Sequence, residues 1–92
     1  MAESRNESIG ATAVKAVTYN SKRTSLLIYN NSAANTVYFG FNNGLTVNNG
    51  QTIRPYTGYA FSRDTGDDPT LEYWLIASDA ATDVRITEQW VK

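Results

Sequence analysis

The stretch TVYFGFNNGLTVNNGQTIR at residues 36–54 decides the fold class. Residues 36–41 alternate Val, Phe and Phe with Thr, Tyr and Gly, which is the two-residue period of a half-buried β-strand. The triplet Asn-Asn-Gly then occurs twice, ending at Gly44 and at Gly50. Asn-Gly tolerates the positive φ angles of tight hairpin turns, so the stretch predicts short antiparallel strands joined by turns.

Runs of the same β-type recur along the chain at a spacing of about ten residues, separated by turn residues. They lie at residues 12–19, 25–29, 36–41, 45–47, 51–54, 58–63, 71–78 and 83–91. No window carries the i, i+3, i+4, i+7 apolar stripe of an amphipathic helix. The sequence therefore predicts an all-β fold, a small antiparallel β-sandwich or barrel of seven to eight short strands with an extended N-terminal arm.

Two of these runs predict further detail. The run LEYWLIAS at residues 71–78 is apolar on both faces near its end, which predicts a strand in a central position or one packed under a neighbour. Gly40, inside the run at residues 36–41, predicts a bulge or a close approach to the backbone.

Residues 1–11 differ from the rest because they are small, polar or charged, with Ile9 as the one large apolar side chain after Met1. We interpret them as a flexible N-terminal arm that precedes a single β-domain at residues 12–92. Two roles stay open for the arm. It is either a frayed terminus or a strap that becomes ordered on a neighbouring subunit.

Length and charge narrow the class of protein. A chain of 92 residues without cysteine has a thin core and no disulfides. Oligomerisation is the remaining common way in which such a small domain gains stability. Eight Lys and Arg residues stand against nine Asp and Glu residues, with no basic stripe, so we expect no binding to nucleic acid. The pair Lys22-Arg23 is expected to face solvent.

No apolar run is long enough for a membrane helix, and residues 1–10 lack the apolar segment of a signal peptide, so we expect no membrane partner and synthesis in a cytoplasm.

Catalysis is not expected from this composition. Without His or Cys, the chain lacks the commonest general base, the commonest transition-metal ligands and the strongest nucleophile. Glu72 and Glu88, the acids that we assign to strands, are expected on solvated strand faces. We therefore predict a non-enzymatic protein with no cofactor.

An acidic loop is the one candidate for a metal site. Asp64, Asp67 and Asp68 resemble the oxygen donors of a Ca²⁺ site, although their spacing does not match the EF-hand pattern. The alternative is a solvated turn in which Asp side chains cap backbone N–H groups. We favour the turn, and the cation site stays open.

Four residues are candidates for a protein interface. Tyr56 occupies a Pro-Tyr-Thr-Gly turn and is the aromatic residue most expected to be exposed, and we favour exposure without a role over a contact role for it. Trp90, near the C-terminus, is either a contact anchor or a core residue. Arg5 and Ile9 belong to the arm, so the predicted interface consists of Arg5, Ile9, Tyr56 and Trp90.

The chain also resembles small β-sandwich structural proteins of tailed bacteriophage virions. The matching segments are LLIYNNS at residues 26–32, VYFG at 37–40, NGQTIRP at 49–55, and LIAS with DVRITE between residues 75 and 88. The resemblance spans about two-thirds of the chain. One departure follows Pro55, where Tyr-Thr-Gly stands in place of the commoner Pro-Gly pair.

What the resemblance implies is a virion part, such as a head decoration or cement protein, a head-fibre base or a tail-associated protein, with no catalytic residues. We expect a capsid decoration protein that binds the major capsid protein, or another virion protein, as a homo-oligomer, with a trimer as our assumption. It would be made in the host cytoplasm and reside in the virion. The alternative is a carbohydrate- or receptor-binding module of a phage tail or fibre, with surface aromatic residues and the acidic loop as its site.

Overall fold

The fold is a sandwich of two antiparallel sheets, seen in a computed structural model that describes residues 2–62 and 66–91. Eight strands occur in these residues: β1 (Ala2–Ile9), β2 (Val14–Val17), β3 (Arg23–Asn30), β4 (Val37–Gly40), β5 (Gln51–Ile53), β6 (Gly58–Ser62), β7 (Tyr73–Ala77) and β8 (Thr82–Trp90). The described residues contain no helix of the length and hydropathy needed to cross a membrane.

The strand order shows how this short chain forms two four-stranded sheets. Sheet A has the order β1-β8-β3-β6 and sheet B the order β2-β7-β4-β5. Each of the pairs β1·β8, β2·β7, β3·β6 and β4·β5 is antiparallel. The chain therefore behaves as one long hairpin wrapped around a common core, which is the jelly-roll arrangement. The predicted small antiparallel β-sandwich is confirmed.

Most, but not all, of the predicted strands are observed. Seven of the eight predicted runs overlap an observed strand, although residue 63, the last of the run at 58–63, lies outside the described residues. The run at residues 45–47 is not a strand but part of the β4–β5 loop. Strand β7 lies between β2 and β4, so the prediction of a central strand is confirmed.

The interpretation of residues 1–11 as an arm outside the domain is wrong for strand β1. Ala2–Ile9 pairs with β8 from Ala2↔Gln89 to Ile9↔Thr82, so the β-domain begins before residue 12. The alternating apolar pattern is missing because β1 is an edge strand whose inward positions carry Glu3, Arg5 and Glu7. Ile9 alone brings an apolar side chain into the core.

The core fills the space between the sheets with side chains from all eight strands. Its buried members are Ile9, Val17, Leu26, Ile28, Val37, Phe39, Ile53, Phe61, Tyr73, Leu75, Ala77, Val84 and Ile86. Burial of this apolar surface is the main favourable term in folding. Four polar residues are buried beside it, namely Arg23, Asn30, Thr82 and Glu88.

The β4–β5 loop packs back onto sheet B through Leu45, which is buried. A Cβ atom at Gly40 would lie 2.9 Å from Leu45 Cδ1, and one at Gly50 would lie 2.7 Å from the same atom. The register of β4 against β7 continues through Gly40, so there is no bulge at this position. The predicted close approach at Gly40 is confirmed, and the approaching group is the Leu45 side chain.

Candidate binding surfaces

The four predicted interface residues do not form one surface. The Tyr56 backbone N–H donates to the Asn30 carbonyl (2.9 Å), whereas Trp90 pairs with Arg23, so Tyr56 and Trp90 lie at opposite ends of β3. Tyr56 is exposed and Trp90 is partly buried. Ile9 is only 1% exposed, and its place in the core excludes it as a surface contact.

A buried ion pair lies at the Trp90 end of the sandwich. Arg23 Nε donates to Glu88 Oε1 (2.7 Å), and the guanidinium also donates to the carbonyl groups of Thr18 (2.7 Å), Pro69 (3.0 Å) and Leu71 (3.3 Å). Arg23 is 1% exposed and Glu88 is 7% exposed. The guanidinium thus joins β3 and β8 to the β2–β3 loop and to the segment before β7.

Two expectations from the sequence are wrong here. Arg23 was expected to face solvent with Lys22, and Glu88 was expected on a solvated strand face. Glu88 shares its strand face with Val84 and Ile86, so the two-residue alternation turns it inward. A charge in this position is tolerated because its hydrogen-bonding atoms are paired.

Arg5 binds the second oxygen of the same carboxylate. Its Nη1 donates to Glu88 Oε2, its Nη2 donates to the Ala16 carbonyl (2.9 Å), and its Nε donates to Glu7 (3.3 Å). Glu88 is therefore held between Arg5 of β1 and Arg23 of β3. We call these three residues the ion network. Within the described residues, no buried side-chain nitrogen or oxygen lacks a hydrogen-bond partner.

The ion network controls the protonation of Glu88. Burial acts to raise the pKa of Glu88, but the hydrogen bond from Arg5 and the charge of Arg23 outweigh it and hold that pKa below its usual range. For Arg5, burial acts to lower the pKa, and the hydrogen bond and charge of Glu88 outweigh it and raise the pKa. Both shifts favour the charged forms that the network needs.

We predict that acid weakens the fold through Glu88. A carboxyl whose pKa is lower in the folded state stabilises the protein above its unfolded-state pKa, which is about 4.3 for Glu, and that stabilisation is lost as the pH falls through the folded-state pKa. Urea unfolding between neutral and acidic pH should show this loss in the wild type. The loss should be smaller in Glu88→Gln, whereas Asp79→Asn, at an exposed carboxylate in the β7–β8 loop away from the ion network, should behave as the wild type. Equal acid sensitivity of all three proteins would contradict the prediction.

At the opposite end of the sandwich, one buried asparagine fixes two loops. Asn30 is fully buried, and its Nδ2 donates to the carbonyl groups of Asn35 (2.8 Å) and Ile53 (3.0 Å). Its Oδ1 accepts from the Ser32 backbone N–H (3.1 Å), and its own backbone N–H donates to the Thr57 carbonyl (2.8 Å). The loops at residues 31–36 and 54–57 are therefore joined through Asn30.

The two other loops of this end are joined in the same way. The Ser78 N–H donates to the Thr36 carbonyl (2.9 Å), and the Thr36 N–H donates to Ser78 Oγ (3.0 Å). The Ala77 N–H donates to the Gly10 carbonyl (2.9 Å). We call the loops at residues 10–13, 31–36, 54–57 and 78–81 the cross-linked end.

The cross-linked end contains unusual backbone conformations. Tyr56 (φ 55°) and Ala81 (φ 57°) are the non-glycine residues with positive φ in the part of the chain that the structure describes. The left-handed region costs a non-glycine residue about 1–2 kcal/mol, and such strain is concentrated at functional sites. At Tyr56 the strained backbone carries an aromatic side chain that is 59% exposed. An exposed Tyr on a fixed loop is a candidate contact residue.

A second candidate surface is formed by five aromatic rings that run from the core to the surface. The ring centroid of Phe39 lies 4.9 Å from that of Tyr59, 5.2 Å from that of Phe61 and 6.4 Å from that of Phe41. Tyr73 continues the cluster, 4.5 Å from Phe61 and 5.4 Å from Phe41. Phe39, Phe61 and Tyr73 are buried, whereas Phe41 is 55% exposed and Tyr59 is 36% exposed.

The exposed rings of this cluster border an open groove of about 400 Å³. It lies where β5, the edge of sheet B, meets β6, the edge of sheet A. The residues that line it are Phe39, Gly40, Phe41, Asn49, Gly50, Gln51, Tyr59, Phe61 and Asp67. We call it the aromatic groove.

Comparison with known proteins adds no relative: no family model, no curated protein and no solved structure matches this chain. The resemblance to phage sandwich proteins therefore rests on the sequence segments given above.

In the described part of the acidic loop, Asp68 forms a turn with Thr70. Its carboxylate accepts from the Thr70 backbone N–H (2.9 Å) and hydroxyl, as the capping interpretation predicts. The Tyr73 hydroxyl donates to the Asp68 carbonyl (2.6 Å), and burial, together with the charges of Asp68 and Asp67, raises the pKa of Tyr73 to about 12. Asp64 lies outside the described residues. Among those that are described, no group of three or more acidic residues is placed to hold a metal ion.

Several residues of these surfaces were missed from the sequence, and one could have been found. Counting in twos from Val84 and Ile86 leads to Glu88, so the strand pattern already places this acid inward. The burial of Asn30 has no local signal in the sequence, because it depends on loops that are distant in sequence. The exposure of Phe41 and Tyr59 also has no local signal, because both lie in β-type runs beside aromatic residues that are buried.

Proposed function

We propose that this protein is a non-enzymatic structural protein of a virion, a capsid decoration protein that binds the major capsid protein through its cross-linked end. The observation that carries the proposal is the exposed side chain of Tyr56 on a backbone held in the left-handed region. If this position served only as a turn, Gly or Asn would be the less strained choice, because both adopt the left-handed conformation more easily than Tyr. The presence of Tyr is explained by a contact that the side chain makes.

The cross-linked end is suited to binding because its loops are fixed before a partner arrives. Association is opposed by the ordering of loops and side chains, so a preorganised surface loses less free energy on binding. Tyr is also one of the residue types that dominate binding energy in protein interfaces. Ala33, Ala34 and Ala80 are exposed on neighbouring loops, and their short side chains let a partner approach the backbone.

Binding to a capsid would be multivalent. A head lattice presents the same site many times, so weak single contacts add up to tight attachment once copies are linked. We therefore propose a closed homo-oligomer, with a trimer as the form to test by light scattering of the free protein. Trp90 is partly buried at the end of β8 and Val91 is 57% exposed, so this end offers apolar surface for contact between subunits.

The test is co-sedimentation of purified protein with empty shells of the cognate major capsid protein. Tyr56→Asn removes the aromatic ring but keeps a residue that tolerates the left-handed region, so thermal stability should be retained. We expect apparent affinity to fall by about thirtyfold, which corresponds to a hot-spot loss of about 2 kcal/mol.

Tyr19→Asn is the matched control for this experiment. Tyr19 is 63% exposed and lies in the β2–β3 loop at the opposite end of β3, so its replacement should leave shell binding unchanged when light scattering gives the same oligomeric mass as the wild type. Equal binding by both variants would contradict the role of Tyr56. Failure of the wild type to sediment with shells would overturn the proposed function itself.

The second candidate function, a carbohydrate- or receptor-binding module of a phage tail or fibre, is favoured by a different observation, the aromatic groove.

A further inference from the structure

The aromatic groove has a rigid apolar wall with a polar rim. Phe39 contacts both exposed rings, and Phe61 packs against Tyr59 with ring centroids 4.8 Å apart. Phe41 and Tyr59 are therefore supported from behind by buried rings and present fixed surfaces to the groove. Rigid aromatic side chains give contact area with little loss of conformational entropy.

The rim supplies hydrogen-bonding groups next to these rings. Gln51 is exposed at the start of β5, and neither its amide nor the Tyr59 hydroxyl has a hydrogen-bond partner among the described residues. Asn49 is occupied within the β4–β5 loop, since its Oδ1 accepts from the Thr46 N–H (2.7 Å) and its Nδ2 donates to the Gly44 carbonyl (3.1 Å). Asp67 is the one charged residue among the described residues that line the groove.

We propose that the aromatic groove binds a neutral oligosaccharide. The C–H face of a sugar ring packs on an aromatic ring, and its hydroxyl groups need the donors and acceptors that the Gln51 amide and the Tyr59 hydroxyl provide. The described lining contains no Lys or Arg that could bind phosphate, sulfate or an acidic sugar, and the Gln51 amide and the Tyr59 hydroxyl are uncharged, so the groove favours a neutral ligand. The volume of about 400 Å³ lies within the range of small-ligand sites and fits a short saccharide segment.

This site is separate from the surface proposed for capsid binding. The groove lies along the edges of β5 and β6 and is bordered by the β4–β5 loop, whereas Tyr56 projects from the cross-linked end. A saccharide site would therefore be a second function, compatible with attachment to a particle through Tyr56. It would allow the attached protein to contact a glycan-bearing surface.

The experiment follows backbone amide signals by ¹⁵N–¹H NMR during titration of the full chain with four probes. Three are neutral trisaccharides, namely maltotriose, cellotriose and the β-1,4-linked trimer of N-acetylglucosamine, and the fourth is the acidic trigalacturonate. We expect at least one neutral probe to shift the signals of Gly40, Phe41, Gln51 and Tyr59, with no shift by trigalacturonate. Because single saccharide sites are weak, titrations extend to about 10 mM, ten times a millimolar dissociation constant.

Two variants make the result specific. Phe41→Ser removes an exposed ring outside the strands and should weaken saccharide binding by roughly tenfold, as expected for loss of an aromatic contact. Tyr19→Ser removes a ring of similar exposure that does not line the groove, and the affinity of this variant should equal that of the wild type. Similar melting temperatures would show that both variants are folded.

The possible outcomes separate the two proposals. If no neutral probe shifts the groove signals, or if Tyr19→Ser weakens binding as much as Phe41→Ser, the saccharide site is overturned. If Phe41→Ser weakens sedimentation with capsid shells while no saccharide binds, the groove is a protein contact and the saccharide proposal is likewise overturned. If a saccharide binds and shells do not, the saccharide site is supported and the capsid proposal fails.

Discussion

Replacing Arg23 with methionine is expected to lower the free energy of unfolding by about 3–5 kcal/mol, as found when one partner of a buried ion pair is removed. Arg23 is almost inaccessible to solvent, and its guanidinium donates to Glu88 and to carbonyl groups on two loops. In Arg23→Met these acceptors stay buried with fewer donors, and Arg5 alone must stabilise the carboxylate. For a small domain with a total stability of about 5–15 kcal/mol, this is a large fraction.

The control for Arg23→Met uses an ion pair of the same type on the surface. Arg85 Nη2 lies 3.1 Å from Asp83 Oδ2, but its side chain is 56% exposed. Exposed ion pairs contribute about 0–1 kcal/mol, so Arg85→Met should leave stability almost unchanged. Urea unfolding monitored by Trp fluorescence measures both variants. Similar losses in the two variants would contradict a special role for the buried pair.

A double variant identifies the cause of the loss. If Arg23→Met acts by leaving Glu88 poorly compensated, then Glu88→Gln should cost less in the Arg23→Met background than in the wild type. Such a coupling of neighbouring residues typically amounts to about 0.5–3 kcal/mol. Additive losses would mean that Arg23 stabilises the fold through its contacts with the loops, independently of the carboxylate.

The parts of the fold that were predicted correctly depend on local patterns. The alternation at residues 36–41 and the apolar run at residues 71–78 belong to strands that are half-buried or central, where the core imposes the pattern. Strand β1 was missed because an edge strand with a charged inner face has no such pattern. The wrapping of the chain into pairs such as β1·β8 depends on contacts between residues far apart in sequence, which local patterns do not contain.

The binding surfaces were harder to predict for the same reason. Tyr56 was expected to be exposed from its turn sequence, but neither its left-handed backbone nor its hydrogen bond to the carbonyl of the buried Asn30, which is distant in sequence, could be predicted from that turn. The aromatic groove arises because the edges of β5 and β6 meet there, so the exposure of Phe41 and Tyr59 follows from the topology. Residue type alone does not separate these two rings from Phe39 and Phe61, which are buried in the same cluster.

Replacing Ile9 with alanine is expected to lower the free energy of unfolding by about 2–5 kcal/mol, the usual range for removing a large aliphatic side chain from a core. Ile9 is the apolar side chain with which β1 enters the core, and it lies at the end of β1 opposite Thr82 of β8. The loss would therefore combine a cavity between the sheets with weaker attachment of the strand. Deletion of residues 1–11 would remove Arg5 of the ion network as well, so it would perturb the fold and would not isolate a strap.

The Ile9→Ala experiment decides between an integral strand and an arm outside the domain. For an arm, the substitution would change stability by no more than about 0.5 kcal/mol, as for surface positions in general. Val14→Ala is the matched control, because Val14 is also β-branched and begins the next strand but is 42% exposed, and its loss should stay below about 1 kcal/mol. If Ile9→Ala proves as mild as Val14→Ala, then β1 does not support the sandwich in solution and residues 2–9 are free to act as a strap. If it is several-fold more damaging, any strap onto a neighbouring subunit requires β1 to leave its own sheet, and the neighbour must replace both the buried Ile9 and the pairing with β8.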